Sequence, residues 1–153
     1  MIKQTLYLWS FGFLKIPMIF FLKPTIVKMD ENEAVLKIKL SRRSKNHLGS
    51  MYFGALCVGA DLAGGITAWN LIRKGKRKVA LVFKSFKADF LKRPESDVYF
   101  VTRDGLQIKS MVEQTVRTGE RVSMPVHIEG FVDYPAAPMK VADFIIELSL
   151  KAK

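Results

Sequence analysis

The chain has 153 residues, 25 of them Lys or Arg against 14 Asp or Glu, giving a formal net charge of +11. At 49% hydrophobic and 25% charged it has the composition of one globular domain, not of a disordered or low-complexity chain. A single cysteine, Cys57, and two histidines, His47 and His127, exclude an intrachain disulfide and a cysteine zinc cluster, and a metal site is not expected.

The charge favours anionic partners, without choosing among nucleic acid, acidic lipid and phosphorylated small molecules. Residues 5–22, TLYLWSFGFLKIPMIFFL, are the most apolar stretch. Lys15 and Pro17 interrupt it well short of the ~20 residues a spanning helix needs. No small-residue cleavage site follows. The segment therefore reads as a helix over about Thr5–Phe13 and a second apolar piece, Ile16–Leu22. Its expected role is packed core, dimer contact or active-site cover, ahead of membrane-surface attachment or a signal, and the expected location is cytoplasmic.

Strand signals follow at Thr25–Lys28 and Ala34–Leu40, joined by the turn Asp30-Glu31-Asn32. A basic loop, Ser41–Ser50, precedes a long apolar stretch, Tyr52–Ile72, which reads as a helix apolar nearly all round and so enclosed by other structure. Its glycines, 54, 59, 64 and 65, predict close approach by another backbone. The basic turn Arg73–Lys78 leads into a strand over Val79–Phe90, closed by Lys92-Arg93-Pro94. Asp97–Arg103 is a further strand. Ile108, Met111, Val112, Thr115 and Val116 share one face of an amphipathic surface helix that stops at Gly119. Alternation over Val122–Glu129 and Asp143–Lys151 marks two half-buried antiparallel strands, with His127 on the exposed side of the first. The whole is one α+β domain, 1–153, with about six antiparallel strands packed on the enclosed helix and residues 1–23 as a helical segment against it.

Asp61 is the only charged residue between Tyr52 and Ile72, where an unpaired carboxylate is costly. It is either bonded to a neighbouring group or kept as a functional acid. The run Asn46-His47-Leu48-Gly49-Ser50-Met51-Tyr52-Phe53-Gly54-Ala55, followed by Gly59-Ala60-Asp61, resembles the signature of hotdog-fold acyl-CoA thioesterases of the phenylacetyl-CoA type. It is similar to a thinly characterised subfamily in which a Phe-Gly pair opens the central helix and a short helix precedes the fold. Phe86–Pro94, FKADFLKRP, resembles that group's strand after the central helix.

The resemblance implies a hotdog fold, a sheet wrapped around a central helix, and hydrolysis of an acyl-CoA thioester at a homodimer interface, in a dimer or tetramer. Coenzyme A would be part of the substrate, and no cofactor is implied. Gly54 would offer its backbone amide to the thioester carbonyl, Asp61 would activate water or attack the carbonyl, and Asn46 would orient the loop or the water. Gly49, Tyr52, Phe53, Lys92 and Arg93 would contact the substrate. Two departures stand out: Tyr52 replaces the family histidine, as a hydrogen-bond donor or an interface aromatic, and Phe53 replaces a glycine. A non-catalytic acyl-CoA or acyl-carrier binder is the alternative. A nucleic-acid binder is less favoured, because no helix-turn-helix or RNA-binding signature accompanies the charge; a membrane is likewise not an expected partner. Residues 34–93 hold 14 Lys or Arg and only two acids, Asp61 and Asp89. A basic rim of Arg42, Arg43, Lys45, Lys92 and Arg93 would suit the phosphates of coenzyme A.

Overall fold

The computed structural model describes every residue, Met1–Lys153. The N-terminal segment forms two helices, α1 (Ile2–Lys15) and α2 (Pro17–Leu22), longer than the predicted Thr5–Phe13 piece. The boundary falls at Ile16, and Pro17 opens α2 at the first helical position, where its missing N–H is no loss. Gly12 lets the two helices close on each other, since a Cβ there would stand 2.8 Å from the Phe20 nitrogen.

Strands β1 (Thr25–Met29) and β2 (Ala34–Ile38) form the predicted hairpin. Its turn is held by Asp30, whose carboxylate accepts the N–H groups of Asn32 (2.8 Å) and Glu33 (2.9 Å). The central helix α3 (Phe53–Lys74) is followed by β3 (Val79–Phe90), β4 (Val98–Thr102), the surface helix α4 (Gly105–Thr118), β5 (Val122–Val132) and β6 (Met139–Ala152). On α4, Ile108, Met111, Val112 and Thr115 are buried as their spacing predicts, but Val116 is exposed at the edge of that face. Gly119 ends the helix in the left-handed region at φ 73°.

All strands pair antiparallel in one sheet of order β1-β2-β4-β5-β6-β3. Helix α3 packs against β2, β3, β4, β5 and β6 of the sheet and also against α4. Its glycines admit side chains, not the second backbone predicted from sequence. A Cβ at Gly59 would lie 2.2 Å from the Phe100 ring, and one at Gly65 would lie 3.0 Å from the Phe83 ring. Removing the side chain on the helix lets a large ring from the sheet fill the space, which keeps the interior dense.

The two edges of the sheet differ. β1 is short, irregular between Ile26 and Lys28, and joined to α1, where Thr5 Oγ1 accepts the Ile26 N–H at 3.1 Å. β3 is 12 residues long, pairs only with β6, and leaves its other side open. A bulge between Phe83 and Ser85 resets its alternation. Before it, Leu81 and Phe83 oppose Leu150 and Leu148; after it, Phe86, Ala88 and Phe90 oppose Ile146, Phe144 and Ala142. Directly opposed residues share a face, so the bulge keeps all five β3 side chains turned to the helix side although their sequence parity changes.

Candidate functional site

Helix α3 runs alongside β3 in the opposite sense, and a cavity lies near each end of the strand. The first, about 510 Å³, sits at the N-terminus of α3. Asn46, His47, Tyr52 and Phe53 form one side, and Phe90, Lys92 and Arg93 the other. The motif loop, the helix start and the end of β3 thus meet around one cavity. Met51 N–H donates to the Pro94 carbonyl at 2.8 Å and locks the loop to the chain beyond β3.

Within the loop, Asn46 Oδ1 accepts from Leu48 N–H (2.9 Å), Ser50 N–H (3.2 Å) and the Ser50 hydroxyl (3.3 Å). This is the work of a turn residue, and it positions the loop. Gly49 occupies that turn at φ 81°, in the region open to glycine, and lies outside the walls of the cavity. Arg43 leans away toward α2, over the Phe21 ring at 5.6 Å, and Arg93 is paired with Glu95 at 2.9 Å. Of the five cations expected on the rim, Arg42, Arg43 and Lys45 lie outside the walls; Lys92 lines the cavity without a carboxylate partner, its Nζ 3.5 Å from Met139 Sδ.

At the helix start, no side chain caps the first turn. Ala55 and Leu56 donate to the Tyr52 carbonyl, while the N–H groups of Phe53 and Gly54 have no acceptor within the chain. Two unpaired donors and the positive end of a 22-residue helix therefore point into one region, a geometry suited to negative charge on a ligand oxygen. Tyr52 crowds this spot: a Cβ on Gly54 would come 2.4 Å from Tyr52 Cε1. Its ring also meets Phe53 edge-on, with centroids 4.9 Å apart.

The second cavity, about 350 Å³, lies near the start of β3 and is apolar except for Asp61. Leu8, Phe11 and Ile19 of α1 and α2 form its roof, Trp69 of α3 one wall, and Leu81 and Phe83 of β3 the other. Asp61 makes no ion pair or side-chain hydrogen bond within the chain, so neither form of neutralising partner considered from sequence is present. Loss of water around it pushes its carboxyl pKa above the ordinary value. Sequence reasoning named Asp61 but not its walls. Leu81 and Phe83 gave no local signal, because only their pairing with Leu150 and Leu148 of β6 shows which way they face, and Trp69 lies on a helix that is apolar nearly all round.

Asp61 and Gly54 do not share a cavity. Seven residues of helix separate them, about 10.5 Å along the axis and within about 20° of the same face.

The family described as "Domain of unknown function (DUF4442)" matches residues 7–134. No curated protein sequence matches the chain. Among solved structures, a protein of unknown function from Chlorobaculum tepidum TLS superposes with a TM-score of 0.82 at 12% identity, over 99% of this chain and 96% of that one. A Pseudomonas aeruginosa protein described as of unknown function and a "Probable Thioesterase" gives 0.75 at 19% identity, over 97% and 96%. A thioesterase family protein from Silicibacter pomeroyi gives 0.70 at 16%, over 97% and 99%. At these identities the likeness establishes the fold, which is the hotdog arrangement of an antiparallel sheet around a central helix. With the family matched over most of its length, the chain belongs to the DUF4442 family of hotdog-fold proteins.

Proposed function

We infer that the protein is an acyl-CoA thioesterase whose site is completed by a second copy of the chain. The observation that carries this reading is the lone carboxylate of Asp61 in an apolar cavity, on the same helix as the unpaired Gly54 amide. One carbonyl cannot use both groups of a single chain, since a reacting atom must lie within about 3 Å of each and they are ~10.5 Å apart. The open β3 edge supplies a solution. If two copies pair there in antiparallel fashion, the Val79 end of one strand meets the Phe90 end of the other. The Asp61 cavity of one protomer then adjoins the start of α3 in its partner, where Gly54 lies behind the Tyr52 ring and outside the walls of the loop cavity.

In that arrangement the Gly54 N–H donates to the thioester oxygen, and the helix dipole favours the charge that develops there. Asp61 takes a proton from water as the water oxygen bonds to the carbonyl carbon. Collapse of the tetrahedral intermediate breaks the carbon–sulfur bond, and the coenzyme A thiolate leaves with the proton that Asp61 took from water, which restores the carboxylate. Desolvation makes Asp61 a stronger base than a carboxylate in water, which suits this role. Lys92 stands where it can meet coenzyme A phosphate.

The test is release of coenzyme A thiol from a panel of acyl-CoA substrates, with Asp61→Ala alongside. Turnover that survives the substitution unchanged overturns the assignment. The Tyr52 ring against Gly54 favours a second reading, a protein that binds acyl-CoA without hydrolysing it; tight binding with no thiol released by the wild-type chain would establish that instead.

A further inference from the structure

Helix α1 is apolar on two faces. Thr5, Leu8 and Gly12 are buried against the domain, while Ile2, Leu6, Trp9 and Phe13, at i, i+4, i+7 and i+11, form a second stripe about a quarter turn away. This stripe faces outward: Ile2 is 80% exposed, Leu6 53% and Phe13 65%, with Leu14 at 72% on its flank. It continues onto α2, where Phe20 meets Phe13 edge-on at 5.3 Å and Met18 and Phe21 are exposed. A shallow groove of about 390 Å³ runs between Leu6, Trp9, Phe13 and Phe20. Trp9 is half-buried and donates its indole N–H to the Pro24 carbonyl at 2.8 Å, but Ile2, Leu6, Phe13 and Leu14 are left to solvent by the fold of one chain.

The charge around the stripe has one sign. Residues 1–29 contain Lys3, Lys15, Lys23 and Lys28 and no acid. Lys23 Nζ lies over the rings of both Trp9 (5.5 Å) and Phe20 (5.4 Å), and Arg43 over Phe21. Three carboxylates lie near α1, none of them on the stripe: Asp61 is in the cavity beneath its buried face, and Asp30 and Glu31 border a cleft by Gln4 on the opposite side of the helix, engaged by Lys28 (3.1 Å) and Lys109 (3.5 Å). A second copy is a poor occupant, because a two-fold contact through this patch would set lysines against lysines. An apolar layer beneath an anionic surface suits both features: large side chains enter the acyl boundary while the cations stay among the headgroups.

We propose that the outward face of α1 and α2 docks on an anionic lipid membrane, with the pair of helices lying in the plane of the headgroups. The inference is independent of thioester hydrolysis, and its test does not read activity. The full-length protein is sedimented with vesicles of phosphatidylcholine alone or mixed equally with phosphatidylglycerol, at low and high salt. Binding is expected for the mixed vesicles, falling as salt rises. The double substitution Leu6→Asp with Phe13→Asp should lower the partition coefficient by at least about tenfold. Lys3→Glu with Lys23→Glu should lower it by about fivefold or more. All four side chains lie on the surface, and thermal melting checks that each variant is folded.

Absence of binding to mixed vesicles overturns the proposal. So does binding that these variants leave unchanged but that Arg77→Glu with Lys78→Glu abolishes, which would assign it to the basic turn after α3. If the variants alter the sedimentation mass and not vesicle binding, the patch is a contact between copies. If an acidic amphipathic peptide competes at the stripe and vesicles do not bind, its partner is a protein. Either result also overturns the proposal.

Discussion

Tyr52 lays its ring against Gly54, so close that a Cβ added to the glycine would fall 2.4 Å from Tyr52 Cε1. The ring stands beside one of the two helix amides for which the fold provides no acceptor. Under the hydrolytic reading it limits how a thioester oxygen approaches. Tyr52→Ala is expected to raise kcat/KM for acyl-CoA by about tenfold, equivalent to ~1.4 kcal/mol. Loss of the edge-on contact with Phe53 should cost about 1 kcal/mol of stability. Steady-state thiol release and thermal melting read the two effects. A fall in kcat/KM for both Tyr52→Ala and Tyr52→Phe would instead make the hydroxyl a substrate contact.

Asp61 carries a pH signature with a definite sign. Its pKa is higher in the folded chain than in the unfolded one, so between the two values the folded state holds the extra proton. Stability is therefore greatest below the unfolded value, about 4, and declines as pH rises through the folded value. Asp61→Asn removes that decline. The variant should melt above the parent chain at pH 8 and level with it near pH 3. Its acyl-CoA turnover should fall by about 10²–10³-fold. Equal melting temperatures at both pH values would show that Asp61 ionises at no cost.

The glycines of α3 should respond unequally to alanine. At Gly59 the new methyl group would lie 2.2 Å from the ring of Phe100, which is itself fully buried, and a loss of about 1–3 kcal/mol is expected. At Gly64 the nearest atoms, 3.3 Å away, are the terminal methyls of Ile128 and Ile146. These can rotate aside, and the better helix propensity of alanine offsets the crowding, so Gly64→Ala should be neutral to within about 1 kcal/mol. Urea midpoints at constant slope separate the two cases.

Much of this fold is legible in the sequence because single elements announce themselves. The alternation of Val126 and Ile128 with His127, the face shared by Ile108, Met111, Val112 and Thr115, and the all-round apolarity of α3 each follow from local periodicity. The motif loop and the grouping of Tyr52 and Phe53 with Lys92 and Arg93 follow from resemblance. The bulge in β3 was not legible. Leu81 and Phe83 stand at odd positions and Phe86 and Phe90 at even ones, and only pairing with β6 shows that all four face inward. The separation of Asp61 from the loop cavity was hidden for a related reason. Two turns of helix are short in sequence, yet ~10.5 Å exceeds the reach of one reacting atom.

The placement of β3 also dictates an order of assembly. This strand, complete by residue 90, has no partner in the sheet except β6, and its register runs from Val79 opposite Ala152 to Phe90 opposite Ala142. A chain emerging from the ribosome must therefore carry β3, with its inward row of aromatic side chains, unpaired until some sixty further residues have been made. Such long-range closure is slow and leaves apolar strand exposed to aggregation in the interval. Pulsed hydrogen exchange during refolding should find the β3 amides protected together with those of β6, and later than those of the β1–β2 hairpin; earlier protection of β3 would require a partner the folded sheet does not contain.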